Sequence, residues 1–311
     1  MYYVYKVVAR LLKGKYPKKA LSILYKIHST RRGKSDISLL FEMAILSDTL
    51  EYFKEAEARY NEIIALNPLE AGAYYGLGVL SDNGEDYEKA VEFYEKAVSI
   101  DPEYSNAYFF LANSYDELGE KGQAIKNYKK VIELEPQNFW AYNNLGSIYE
   151  EIGQYNLALG MFKRSLEIWP NHYKALFNIG VVMNKIGYRE KAIEYYRASM
   201  KENDKYPYSF LNLAVLYKDE ENYQKAVEII SEGIESNKEE SFLYYNRACF
   251  LAHLNRLEES MQDLITATTL SPCLIEYMKA DEELGPVKKL KEYGEMWAWK
   301  KTEFPNWEQS I

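Results

Sequence analysis

The sequence predicts an all-α solenoid of stacked antiparallel helix pairs. Three observations predict it. A pattern of apolar and small residues returns every 34 residues, from near the start of the chain to about residue 274. Within each period those residues fall at i, i+3, i+4 and i+7, the stripe of an amphipathic helix. In the clearest periods a Gly follows the first stripe and a Pro ends the second, which cuts each period into two short helices. One such hairpin cannot bury its apolar face alone, so neighbours must stack.

Residues Phe139–His172 are the clearest unit. With Phe139 as position 1, Tyr142, Leu145, Gly146 and Tyr149 predict a first helix, A. Gly153 breaks it. Leu157, Ala158, Phe162 and Leu166 predict a second helix, B, which Pro170 ends because Pro cannot continue a helix interior. Gly146 and Ala158 are small enough to let the two helices approach. Tyr142, Tyr149 and Phe162 fill the space around them.

Residues 1–36 form a degenerate, basic first unit. Val4, Val7, Val8 and Leu11 predict the packing stripe of its helix A, and Ala20, Leu24 and Ile27 that of helix B. Ser35 and Asp36 shift the phase. Seven units follow, at 37–70, 71–104, 105–138, 139–172, 173–206, 207–240 and 241–274. Asp204 and Lys238 replace the helix-ending Pro of the sixth and seventh whole-chain units, so those two loops are expected to differ. Arg247 and Ser260 depart from the pattern of the last unit. Residues 275–311 are read as capping helices and a tail: Leu274–Leu284 as one more helix, Gly285-Pro286 as a break, and Pro286–Phe304 as a final helix carrying Trp297 and Trp299. An end helix covering the last apolar face is what a solenoid needs for solubility.

The order large–Leu–Gly–Tyr, then Ala, then an aromatic, then Pro resembles the tetratricopeptide repeat over most of the chain. The resemblance implies a right-handed superhelix with a C-terminal capping helix. It also implies a concave groove lined by positions 2, 5, 6 and 9 of the A helices. Position 6 is Asn in four successive units, Asn144, Asn178, Asn212 and Asn246. A side-chain amide offers both donor and acceptor, so a row of them can pair with a peptide backbone. The row is similar to the asparagine ladder in the repeat arm of O-linked N-acetylglucosamine transferases. Asn is also common at this position in such repeats generally, so the row also reads as family habit.

The resemblance implies a peptide-binding set. Asn113, Asn144, Asn178, Asn212 and Asn246 would serve backbone hydrogen bonds. Phe109, Trp140, Phe177, Tyr208 and Tyr245 would give apolar contacts, and Lys174 an acidic anchor. The carboxylate clamp of chaperone-binding repeats falls on Phe109, Asn113, Asn144, Lys174 and Asn178. Its first Lys and last Arg are missing, which removes most of the charge pairing.

Composition narrows the function class. No apolar run approaches the ~18 residues of a membrane span, and the N-terminus lacks a signal-peptide pattern. Cys249 and Cys273 are lone thiols, fitting a reducing compartment. The expected location is cytoplasmic. Met1–Lys34 holds ten Lys/Arg and no Asp/Glu, while the remainder carries 28 Lys/Arg against 47 Asp/Glu. That acidic remainder argues against nucleic acid along the groove. The basic end reads as a solvated cap, or as a dock for an acidic partner or another copy; a membrane is not expected. No HExxH, phosphate loop or GxSxG occurs. Cys249 and His253, four apart, are two ligands and not a metal site. The chain therefore reads as a non-catalytic scaffold without cofactor or metal, holding an extended peptide or helix of a partner protein. Two alternatives stand beside it: a head-to-tail self-assembly protein, and a targeting subunit for an enzyme acting in trans.

Overall fold

A computed structural model describes residues 2–296. Two compact bodies divide the chain, Met1–Ile148 and Tyr149–Ile311. Among the described residues every regular element is helical. The first body holds α1 (Tyr2–Leu12), α2 (Pro17–His28), α3 (Ile37–Thr49), α4 (Phe53–Leu66), α5 (Ala71–Asn83), α6 (Tyr87–Ile100), α7 (Ser105–Glu117), α8 (Lys121–Leu134) and most of α9 (Phe139–Glu151). The second holds α10 (Tyr155–Ile168), α11 (Tyr173–Lys185), α12 (Arg189–Glu202), α13 (Pro207–Lys218), α14 (Tyr223–Ser236), α15 (Ser241–His253), α16 (Leu257–Leu270) and α17 (Leu274–Ala280). From α1 to α8 and from α10 to α17, each helix packs on the next. This is the tetratricopeptide-type solenoid fold, all-helical and repeating.

From α3 onward, A helices start at position 1 of the unit and B helices at position 17. The turn between them is the same each time. The amide of position 16 donates to the carbonyl of position 11, as in Asp86 N to Ser81 O (3.0 Å), Gln154 N to Tyr149 O (2.7 Å) and Asn222 N to Tyr217 O (2.9 Å). This is the closure that ends a helix by satisfying an orphan carbonyl, and it needs a left-handed residue inside it. Position 15 supplies that residue: Gly119, Gly153 and Gly187 have φ of 77°, 75° and 81°. Glu51, Glu85, Glu221 and Asn255 hold the same place with φ of 57° to 61°, where a Cβ is unfavourable.

The core is a repeating interlock of rings and small residues. Ala56, Ala90, Ala124, Ala158, Ala192 and Ala226, at position 20, are fully buried. A Cβ added to Gly78 would lie 2.5 Å from the ring of Tyr94, and one on Gly180 would lie 2.8 Å from that of Tyr196. Both rings are buried, so the glycines set how closely helices A and B approach.

Several expectations are corrected. Val4, Val7, Val8 and Leu11 do not face the core: Val4 is 64% and Leu11 78% exposed. α1 instead packs through Tyr2, Ala9 and Leu12. Polar anchors select that face. The Tyr2 hydroxyl donates to Asp36, Lys6 pairs with Asp36 at 2.9 Å, and Arg10 Nε donates to Glu42 at 2.8 Å. Burial alone would raise the Asp36 pKa, but Tyr2, Lys6 and the Leu39 amide hold it below the ordinary value. Leu157 is 47% exposed, because α10 buries Ala158, Phe162 and Ser165.

The Pro-less loop at Asn203 is not different either. Asn203 Oδ1 accepts the Lys205 amide (3.0 Å), as Asp101 Oδ1 accepts that of Glu103 (3.0 Å) before α7. The Asx side chain makes the turn whether or not Pro follows. The helix expected over Leu274–Leu284 ends at Ala280. Short 3-10 turns follow at Glu282–Leu284 and Val287–Lys289, and helix resumes only at residues 291–296. Trp297 and Trp299 lie outside the described residues.

Arg247 and Ser260 are absorbed by hydrogen bonding. Ser260 Oγ donates to Ala248 O at 2.7 Å, which lets a hydroxyl stand where other units bury Ala. Arg247 grips the buried Asp263 with two bonds of 2.7 and 2.8 Å and donates to Ser231 Oγ at 3.0 Å.

Candidate peptide-binding face

In the first body Asn144, at position 6 of α9, meets Asn113, at position 9 of the preceding A helix α7, across Tyr128 of α8. The Tyr128 hydroxyl donates to Asn113 Oδ1. Asn144 Nδ2 donates to the Tyr128 hydroxyl at 3.1 Å and to Asn113 Oδ1 at 3.4 Å. Phe109, one turn back on α7, meets Tyr128 edge-on at 5.7 Å and Phe110 at 5.6 Å.

Asn113, Tyr128 and Asn144 border a cavity of about 450 Å³ that is also lined by Asp82, Asp116, Glu117 and Ser147. Its charge is negative. Burial raises the Asp82 carboxyl pKa, and Glu117 raises it further, against a hydrogen bond donated by Ser114 Oγ (3.1 Å). Asp116 is paired with Lys121 Nζ at 2.7 Å. Burial also pushes the Tyr128 phenol up, and the nearby Asp116 and Glu117 add to it. At pH 7 the phenol is therefore a neutral donor that fixes the two amides.

The second body carries the remaining residues of the expected set except Trp140. Asn212 Nδ2 donates to Tyr208 O (3.0 Å) and Asn246 Nδ2 to Phe242 O (2.7 Å), so these two amides are engaged by their own helices. Phe177, next to Asn178 and three residues after Lys174 on α11, packs against Tyr196 (5.7 Å) and Tyr206 (5.3 Å). Tyr208 stacks on Phe242 at 5.5 Å with 15° between the rings. Trp140, in the first body, is 43% exposed beside Phe139. Of the clamp residues, Phe109, Asn113 and Asn144 belong to the first body, and Lys174 and Asn178 to the second.

The last unit meets an acidic segment of its own chain. Tyr245 Oη donates to Asp281 Oδ2 at 2.5 Å, and Cys249 Sγ lies 3.6 Å from the same oxygen. Glu283 pairs with Lys218 Nζ at 2.5 Å and with His253 Nε2 at 3.3 Å. Burial, with Asp281 and Glu283 behind it, pushes the Cys249 thiol far up, the opposite of a reactive thiolate.

Sequence reasoning missed two features here. Apolar spacing gives position 24 only as a packing aromatic, as at Phe162, yet where it is Tyr a buried phenol usually finds a hydrogen-bond partner, as Tyr128 does. The carboxylates at position 12, Asp48, Asp82, Asp116 and Glu150, recur every 34 residues and were legible by the same count that found the asparagines.

Family models of the tetratricopeptide repeat match residues 49–105, 112–153, 137–201 and 243–272. One described as anaphase-promoting complex subunit 5 matches residues 191–254. No curated protein sequence matches significantly. Solved structures are similar in fold. A tetratricopeptide repeat protein from Parabacteroides merdae is 18% identical, with a TM-score of 0.64 over 78% of this chain and 97% of that one. Pseudomonas aeruginosa pilF is 22% identical, with a TM-score of 0.55 over 68% and 94%. The APC/C hetero-tetramer Cut9–Hcn1 is 17% identical, with a TM-score of 0.58 over 88% of this chain but 52% of that one. This chain thus spans about half the length of that subunit.

Proposed function

Because the chain is a tetratricopeptide-repeat protein, we propose that it is a non-catalytic scaffold that holds an extended segment of a partner protein along its A helices. Such repeats are generally protein-interaction modules. The observation that carries the finer reading is the Asn113–Tyr128–Asn144 cluster at the edge of the cavity. Amides fixed by a neutral phenol meet a peptide backbone without an ordering cost at the moment of binding. Phe109 supports the cluster through Tyr128.

The partner segment carries Lys or Arg. Asp82, Asp116 and Glu117 line the cavity, with Lys121 paired to Asp116, and a cationic side chain meeting these carboxylates would form a charge-assisted pair.

Panning a displayed random-peptide library on the whole chain tests the reading. The expected result is enrichment of peptides with Lys or Arg, whose binding falls when Asp116→Asn and Glu117→Gln are introduced together. Peptides without basic residues, or binding indifferent to the double variant, would remove this cavity from the function.

A further inference from the structure

We propose that the first helix pair docks on an anionic lipid surface, with α1 lying in the plane of the interface. Val4, Val7, Val8 and Leu11 stand at i, i+3, i+4 and i+7, and with Tyr3 they form one exposed apolar ridge. The inner face of α1 is already used: Tyr2 and Ala9 pack on the core, and Lys6 and Arg10 pair with Asp36 and Glu42. The ridge is therefore not spare core. Eleven residues make about 16 Å of helix, far short of a span, so the helix lies flat.

Charge identifies the occupant. Ten Lys/Arg and no carboxylate fall within Met1–Lys34. Lys13, Lys15, Lys18 and Lys19, in the turn after α1 and the first turn of α2, are exposed and pair with no carboxylate among the described residues. Tyr16 is exposed against Lys15 and Lys19, and Tyr3 and Tyr5 are exposed on α1, amphipathic rings suited to the headgroup level. An apolar ridge flanked by lysines and tyrosines is the composition of an interfacial helix. A protein partner would need an apolar trough of matching shape rimmed by acids. A lipid surface offers an apolar layer beneath phosphates and needs no matching shape. Carboxylates more than a screening length of about 8 Å away oppose the contact weakly at physiological salt.

Co-sedimentation of the full chain with vesicles tests the proposal. One set is phosphatidylcholine alone; the other has about three parts in ten phosphatidylglycerol. Two variants change only exposed positions: Val4→Ser/Val7→Ser/Leu11→Ser, and Lys13→Gln/Lys15→Gln/Lys18→Gln/Lys19→Gln. Circular dichroism checks that both remain helical. The expected result is binding to the anionic vesicles alone, reduced at least about tenfold by either variant. Failure to bind anionic vesicles at low salt overturns the proposal. Binding that survives the serine variant overturns it too, because the ridge then does nothing. A concentration-dependent dimer lost in the serine variant, without vesicle binding, would instead assign the ridge to a second copy of this chain.

Discussion

Arg247 of α15 holds Asp263 of α16 through two parallel hydrogen bonds, at a position where the five preceding units carry Leu or Ile. Asp263 is 5% exposed, so the pair is largely desolvated. Removing one partner leaves the other charge buried and uncompensated, which costs more than the pair itself contributes. Asp263→Ala should therefore destabilise the chain by about 3 kcal/mol in urea denaturation. Replacing both by Leu should cost far less, and a double variant as unstable as the single one would contradict this account.

The left-handed turn residue gives a prediction of opposite sign. Glu85 and Glu221 hold φ of 58° at the place where Gly119, Gly153 and Gly187 sit in other units. Glu85→Gly relieves a cost of about 1–2 kcal/mol and returns part of it as unfolded-chain entropy. A net gain of about 0.5–1 kcal/mol per site is expected from the shift in urea midpoint.

Glycines inside helices divide by what a Cβ would meet. At Gly160 in α10 it would meet nothing within 4 Å, so Gly160→Ala should stabilise by about 0.5–1 kcal/mol. At Gly78 the same atom would lie 2.5 Å from the buried Tyr94 ring. Overpacking of about 1–3 kcal/mol there outweighs the helix preference of Ala. Thermal midpoints of the two variants should move in opposite directions.

His172 sets a pH dependence. It is 5% exposed between Trp169 and Tyr173, at ring distances of 4.4 and 5.1 Å. Burial, and then the Lys174 charge, lower its pKa from 6.5. A histidine with a depressed folded pKa binds fewer protons folded than unfolded. Stability is then full above 6.5 and falls as pH drops below it. His172→Phe should flatten the part of the stability profile just below pH 6.5, measured against the unsubstituted chain.

The asparagines should not contribute equally to binding. Asn113 and Asn144 are fixed by Tyr128 at the cavity, whereas the Asn212 amide donates to Tyr208 O. With a peptide selected on the whole chain, Asn113→Ala/Asn144→Ala should weaken binding at least about tenfold, the loss of one or two hydrogen bonds. Asn212→Ala should change it by less than about threefold. Fluorescence anisotropy measures both, and equal losses would restore a uniform ladder.

Much of this molecule was written in local sequence. The starts of the A and B helices at positions 1 and 17 follow from apolar spacing repeated every 34 residues. The interlocked small and large residues at Gly78, Ala90 and Tyr94 follow from the same count, because a repeated helix pair has one way to bury its stripe. Tertiary structure decided what periodicity does not encode. α1 has two eligible faces, and the choice fell to Tyr2 and Ala9 because Asp36 and Glu42, some thirty residues away, offer Lys6 and Arg10 partners on that side. Asn144 and Asn212 hold the same position, with Tyr128 and Tyr196 at the corresponding place of the preceding unit, yet Asn144 donates to the phenol and to Asn113 while Asn212 donates to its own helix. The resting of Asp281 and Glu283 against Tyr245 and Lys218 joins distant segments through charge and hydrogen bonding, and no repeat pattern announces it.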